Sequence, residues 1–99
     1  MKIFISQPMK GLTEEQIRKN RKEVVDLLEA YGHTIIDSVF PDFNSSTIKN
    51  TPLYYLGMSL QLIAEEADAV YFMDGWSGTR GCKMEYKACK EYGVQILHE

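Results

Sequence analysis

Ninety-nine residues suffice for one compact domain and are too few for two. With 44% hydrophobic and 25% charged residues the composition is that of an ordinary globular protein, and the net charge of -3 argues against a sequence-independent binder of DNA or RNA, which needs a basic footprint. No apolar run approaches the roughly 18 residues of a membrane-spanning helix, and the run after Lys2 is too short for the core of a signal peptide.

In chain order, KIFIS (2–6) reads as a strand, with β-branched and aromatic residues. TEEQIRKNRKEVVDLLEAYG (13–32) is a helix: Thr13 and Gln16 form a capping box, acidic residues fill the first turn, and Gly32 stops it. Its buried stripe is Ile17, Val24, Val25, Leu28 and Tyr31, while Arg18, Lys19, Arg21 and Lys22 read as its solvated face, a local basic patch being the alternative. HTIID (33–37) is a second strand. SVFPDFNSSTIKN (38–50) is a polar loop, long enough to be functional or mobile. Thr51 and Pro52 open a second helix that runs to about Ala67. DAVYFM (68–73) is a third strand, DGWSGTR (74–80) a loop, GCKMEYKACKEY (81–92) a third helix and GVQIL (93–97) a last strand.

This alternation requires crossover connections, hence an α/β fold in which helices cover a parallel sheet. The expected architecture is a flavodoxin-like three-layer sandwich with a four-stranded parallel sheet in the order 2-1-3-4, as one domain over residues 1–99. Ligands of such sheets bind at the carboxyl ends of the strands, here the loops SQPMKGL, SVFPDFN and DGWSGTR. The second helix has two apolar stripes. Leu53, Leu56, Leu60, Ile63, Ala64 and Ala67 would cover the sheet; Tyr54, Tyr55, Met58 and Leu62 are left for a second copy of the chain, or else for the long loop. Cys82 and Cys89 suit neither a disulfide nor a zinc pair and read as packing residues that stay reduced, as in a cytoplasm.

Several residues could carry chemistry. Gly75, Gly78 and Gly81 precede a helix, and with the Thr79 hydroxyl and the Arg80 guanidinium they could cradle a phosphate; a plain turn and helix cap explain the glycines equally well. On a wheel of 100° per residue, Met84, Ala88, Tyr92, Cys89 and Cys82 form the apolar arc of the last helix, and Glu85 lies within it. A carboxylate there is costly to desolvate unless it is paired, with Arg80 for example, or working. Asp74 ends the third strand, where it could act on a ligand or cap a turn. Trp76 could stack on a base or lid the core. Neither His33 nor His98 has a companion at metal-ligand spacing, so neither metal nor cofactor is expected. A carboxylate set against a phosphate-friendly loop suggests cleavage of a glycosidic bond on a sugar that carries a phosphate or a base.

KIFISQPMKG at the start, ADAVYFMDGW before the third loop and GTRGCKMEYKAC after it resemble the nucleoside 2-deoxyribosyltransferase-like superfamily, and in particular its short branch, often left as a domain of unknown function. The resemblance spans nearly the whole chain, and its most specific element is Gly81-x-x-x-Glu85. It implies an N-glycosidic-bond hydrolase or deoxyribosyltransferase acting on a nucleoside or nucleoside 5'-monophosphate, with Glu85 as nucleophile, Thr79 and Arg80 at the 5' end of the sugar, and Ser6, Gln7 and Met9 holding base and sugar. It also implies a carboxylate in the second helix, seven or eight residues before Asp68, where Leu60 and Gln61 stand; Asp74 or Asp42 could substitute. The alternative is a nucleotide-binding module that has lost catalysis.

Overall fold

The structure, a computed structural model, describes residues 1–40 and 47–98. Asp42 therefore lies outside the described residues. The chain alternates β1 (Lys2–Ser6), α1 (Glu14–Ala30), β2 (Thr34–Ile35), α2 (Thr51–Glu66), β3 (Ala69–Phe72), α3 (Arg80–Tyr92) and β4 (Gln95–His98), with a single 3-10 turn at Trp76–Gly78 ahead of α3. All four strands are parallel, in the order β2-β1-β3-β4, so the expected sandwich is the fold.

Strand alternation divides the core into two faces. Ile3 and Ile5 of β1 pack with Val24 and Leu28 of α1 on one side. Phe4 points the other way and packs with Ile63 of α2 and Cys89 of α3. The capping box forms: the Thr13 hydroxyl accepts from the Gln16 N–H at 3.2 Å, and Gln16 Oε1 accepts from the Thr13 N–H at 2.9 Å. Gly93 closes α3 in the left-handed region at φ 72°, where a Cβ would strain the backbone.

β2 is shorter than its sequence suggests, for a specific reason. Its ladder with β1 continues as far as the Ile36 N–H on the Ile3 carbonyl, at 2.9 Å. The next β1 acceptor, the Ile5 carbonyl, is taken by two side chains instead: the Ser38 hydroxyl at 3.3 Å and Arg21 Nη2 at 3.4 Å. The ladder has no acceptor left on that side, and the chain turns away.

Three helix faces differ from the wheels. In α1 the buried residues are Ile17, Arg21, Val24 and Leu28, so Arg21 leaves the solvated face assigned to it and Tyr31, past the last turn, is exposed. The rest of that basic cluster is solvated, with Arg18 paired to Glu14 and Asp37 and Lys22 to Asp26. In α3 the buried residues are Cys82, Glu85 and Cys89, while Met84 is exposed and Tyr92 is 86% exposed. Tyr86 is drawn inward by a stack on Trp76 (centroids 4.3 Å apart) and an edge contact with Phe72 (5.2 Å), which rolls the buried arc away from Met84 and Tyr92. In α2 only Ile63 is fully buried and Leu53 is 61% exposed. Of the stripe left for a second copy, Leu62 packs against the core and Tyr55 stacks on Phe40, so both are used within one chain.

Candidate functional site

Parallel crossovers bring the start of each helix back to the carboxyl ends of the strands, and the site lies there. Ser6, the last residue of β1, shares Phe4's face by alternation and points toward α2 and α3. Glu85, on the second turn of α3, points inward and is 7% exposed. The Ser6 hydroxyl donates to Glu85 Oε1 at 2.7 Å, a short bond of the charge-assisted kind. Both residues line a cleft of about 130 Å³, together with Gln7, Met9, Tyr55, Leu56, Gly81 and Cys82 among others. Ser59 of α2 lines the same cleft, and its hydroxyl favours the charged form of the carboxylate.

Burial pushes the Glu85 carboxyl above its ordinary range, and the Ser6 and Ser59 hydroxyls, which favour the charged form, pull part of the way back. Burial likewise pushes the Cys82 thiol up to about 11, against the pull of the Ser6 hydroxyl and with a further push from the neighbouring Glu85 charge. No lysine, arginine or histidine lines the cleft among the described residues, and Glu85 is its one carboxylate among them. When Glu85 ionises, no basic side chain of the described cleft lining pairs with its charge, which is left available to a positive centre in the cleft. Among the described residues there is also no group of three His, Cys, Asp or Glu side chains that could hold a metal ion.

The other site residues named from the sequence fall in several places. Ser6, Gln7, Met9 and Gly81 line the cleft. The Gln7 amide is occupied at both ends, Nε2 donating to the Ile17 carbonyl at 3.1 Å and Oε1 accepting from Arg21 Nε. Gly78 is exposed in the turn, and Arg80 is exposed as the first residue of α3; neither lines the cleft. The Thr79 hydroxyl donates to the Gly75 carbonyl at 3.2 Å, so it does not cap α3. Trp76 packs on Phe72 and Tyr86 and covers the core rather than lining the cleft. Asp74 is not brought to Glu85: it lines a second cavity of about 360 Å³, with Asn20, Leu12 and Met73, and Gln7 borders both.

Ser59 was not singled out by counting back from Asp68, which lands on Leu60 and Gln61. The α2 residue that shares the cleft with Glu85 and favours its charged form is the one a helical turn before the buried Ile63, and that i, i+4 relation is visible in the sequence. Arg21 had the same kind of signal, lying four residues after Ile17 and three before Val24. Tyr55 and Leu56 had none, because a helix wheel cannot say which flank of a stripe will border a cleft.

A family model described as Domain of unknown function (DUF4406) matches residues 1–98. Comparisons with curated proteins and with solved structures return no match.

Proposed function

Because the chain belongs to this DUF4406 family, whose description leaves the activity open, we propose from the site itself that the protein acts on the N-glycosidic bond of a nucleoside or nucleoside 5'-monophosphate, by hydrolysis or by transfer of the sugar. The observation that carries the proposal is the Glu85 carboxylate, buried on the wall of a cleft at the strand ends, bonded by the Ser6 hydroxyl and facing no basic side chain among the described residues that line the cleft. The resemblance to the nucleoside 2-deoxyribosyltransferase-like superfamily supports it at the same residue.

In this mechanism ionised Glu85 attacks the anomeric carbon of the sugar from a near-attack separation of about 3–3.5 Å. The carbon–nitrogen bond breaks, its electron pair leaves with the base, and the base takes up a proton. The sugar is left as an ester on Glu85, and water or a second base then displaces the carboxylate. Positive charge develops on the sugar in the transition state. A carboxylate that no cation quenches, in a partly dehydrated cleft, stabilises that charge more than it stabilises the neutral substrate. The raised pKa of Glu85 sets the acid limit of activity, since the protonated form cannot attack.

The cleft, at about 130 Å³, is smaller than the roughly 300–1,000 Å³ of sites that enclose a drug-sized ligand. It would hold the sugar, with the base and the phosphate outside it. Gly78, Thr79 and Arg80 lead directly into cleft-lining Gly81 and are the residues for a 5'-phosphate. Asp74, across Gln7 in the second cavity, is the group for the base end of a ligand that spans both.

The test is incubation of the purified chain with a panel of deoxynucleosides and their 5'-monophosphates, followed by chromatography for free base. Release of base that Glu85→Ala abolishes is the expected result. Binding without release would establish the second reading, a nucleotide-binding module, which the lack of another carboxylate along the cleft favours. We propose in addition that a second copy of the chain packs on α2, over the face that carries exposed Leu53 and Tyr54.

A further inference from the structure

The buried stripe of α1 contains a charge. Ile17, Arg21, Val24 and Leu28 follow at spacings of four, three and four, so Arg21 occupies a core position between apolar neighbours. It is 4% exposed. The ion pairs of the described residues join Lys2 to Glu66, Arg18 to Glu14 and Asp37, and Lys22 to Asp26, and none of them includes Arg21. Its bonds go to neutral acceptors: Nε to Gln7 Oε1, and Nη2 to Ser38 Oγ at 2.9 Å and to the Ile5 carbonyl at 3.4 Å. A buried cation that makes no direct ion pair is costly in a small core, even with Asp37 near enough to attract it, and an apolar side chain of similar length would avoid that cost. Fold stability alone therefore gives no reason for arginine at this position.

The acceptors supply a reason. Ile5 and Gln7 flank Ser6 in the chain; the Ile5 side chain packs toward α1, and Gln7, which also borders the cleft, bonds the α1 backbone through its amide. Ser38 is where the segment after β2 sets out toward α2, the other wall of the cleft. The planar guanidinium fork joins three points in fixed relative geometry, which a flexible ammonium group does less well. We propose that Arg21 is a positioning residue for the Glu85 site: by tying Ile5, Gln7 and Ser38 together behind β1, it fixes the backbone that aims the Ser6 hydroxyl at Glu85. A peptide rotation that frees Gln7 also swings Ser6, and a hydrogen bond of 2.7 Å tolerates only a few tenths of an ångström of such movement. Burial pulls the guanidinium down to about 10, Asp37 pulling it up and Arg18 down again, so it remains a cation at neutral pH. The inference rests on Glu85 being the reactive group of the site.

Arg21→Met removes the fork and keeps the length of the side chain. Two readouts separate positioning from mere structure. One is turnover of a deoxynucleoside 5'-monophosphate, and the other is the alkylation rate of the two thiols in native protein. Cys82 lines the cleft beside Ser6, whereas Cys89 belongs to the core. The expected result is a fall in kcat of at least tenfold with a smaller change in KM, together with alkylation at least tenfold faster at Cys82 and unchanged at Cys89. If Arg21→Met does not fold, Arg21→Lys, which keeps the charge and loses the fork, is expected to show the same selective change at Cys82. Alkylation that accelerates equally at both cysteines, or at neither, overturns the proposal, as does full kcat in a folded Arg21→Met protein. If the wild-type chain releases no base, the glycosidic-bond reading falls and the thiol measurement alone judges Arg21.

Discussion

Replacing Glu85 by glutamine removes a charge and keeps the shape. The amide oxygen can still accept from the Ser6 hydroxyl, and the Ser59 hydroxyl, free to rotate, can accept from the new NH₂ group. Desolvation of a buried carboxylate costs several kcal/mol. The Ser6 hydroxyl bond to the charged form returns about 1.5–3 kcal/mol, and the Ser59 hydroxyl acts in the same direction. The raised pKa says that desolvation wins, so the ionised group leaves a residual penalty. Glu85→Gln should therefore be more stable than wild type at pH 7, each kcal/mol of penalty removed raising Tm by about 4–8 °C for a domain of this size. The sign follows from the direction of the shift. Below the ordinary carboxyl value of 4.5, Glu85 is neutral in both the folded and the unfolded chain, and wild type and variant should melt together. The gap opens as the pH rises from 4.5 through the higher folded-state value, then stays constant. Thermal melts followed by circular dichroism across that range measure it. A glutamine variant that melts below wild type at pH 7, or a gain that persists unchanged at low pH, would refute the electrostatic reasoning.

Four further outcomes are expected. Ser6→Ala removes the donor to the charged form, so the acid limb of the pH–activity profile should move to higher pH, and denaturant titrations at pH 7 should show a loss of about 1.5–3 kcal/mol. Gly81→Ala places a methyl group where nothing lies within 4 Å, on the first turn of α3. It should stabilise the fold by about 0.5–1 kcal/mol while weakening nucleotide binding in calorimetry, since that space is the cleft; unchanged affinity would place the ligand elsewhere. Gly93→Ala also meets no atom within 4 Å, so its cost is purely conformational, about 1–2 kcal/mol by thermal melt for a residue held at φ 72°. Leu53→Glu changes a residue that is 61% exposed, so it should leave Tm within about 1 kcal/mol equivalent of wild type and lower the mass measured by light scattering; an unchanged mass removes α2 as the contact between copies.

Local signals placed the elements because the forces that form them are local. The Thr13 and Gln16 cap, Pro52 at a helix start and Gly32 just past a helix end each satisfy or release backbone groups within a few residues, and the helices begin and end there to within two residues. The strict alternation of strand and helix left a parallel sheet as the solution, and the observed order has β1 and β3 at its centre. Glu85 could be found from the sequence for the same kind of reason. A charged residue on an apolar arc is anomalous whatever that arc faces. Arg21 is the matching anomaly on α1, hidden by the three basic residues around it, which look alike in sequence and do not share its face.

Only the tertiary structure could decide what surrounds those two charges. A wheel gives the residues that share a side of a helix, and the roll of the helix comes from its neighbours. Trp76 and Phe72 draw Tyr86 inward and leave Met84 and Tyr92 in solvent. Asp74 stands at the end of β3, as close to the site as Ser6 in any linear description, yet it opens into the neighbouring cavity. Ser59 is marked in the sequence only by its spacing from Ile63, and packing alone sets it on the same cleft as Glu85. The sequence by itself determined the alternating α/β plan and the burial of a carboxylate at its ligand end, because helix caps, turn glycines and apolar periodicity act over a few residues. The cleft required crossovers that bring positions 6, 59 and 85 together from three elements, and that proximity is a property of packing between distant segments that no local pattern records.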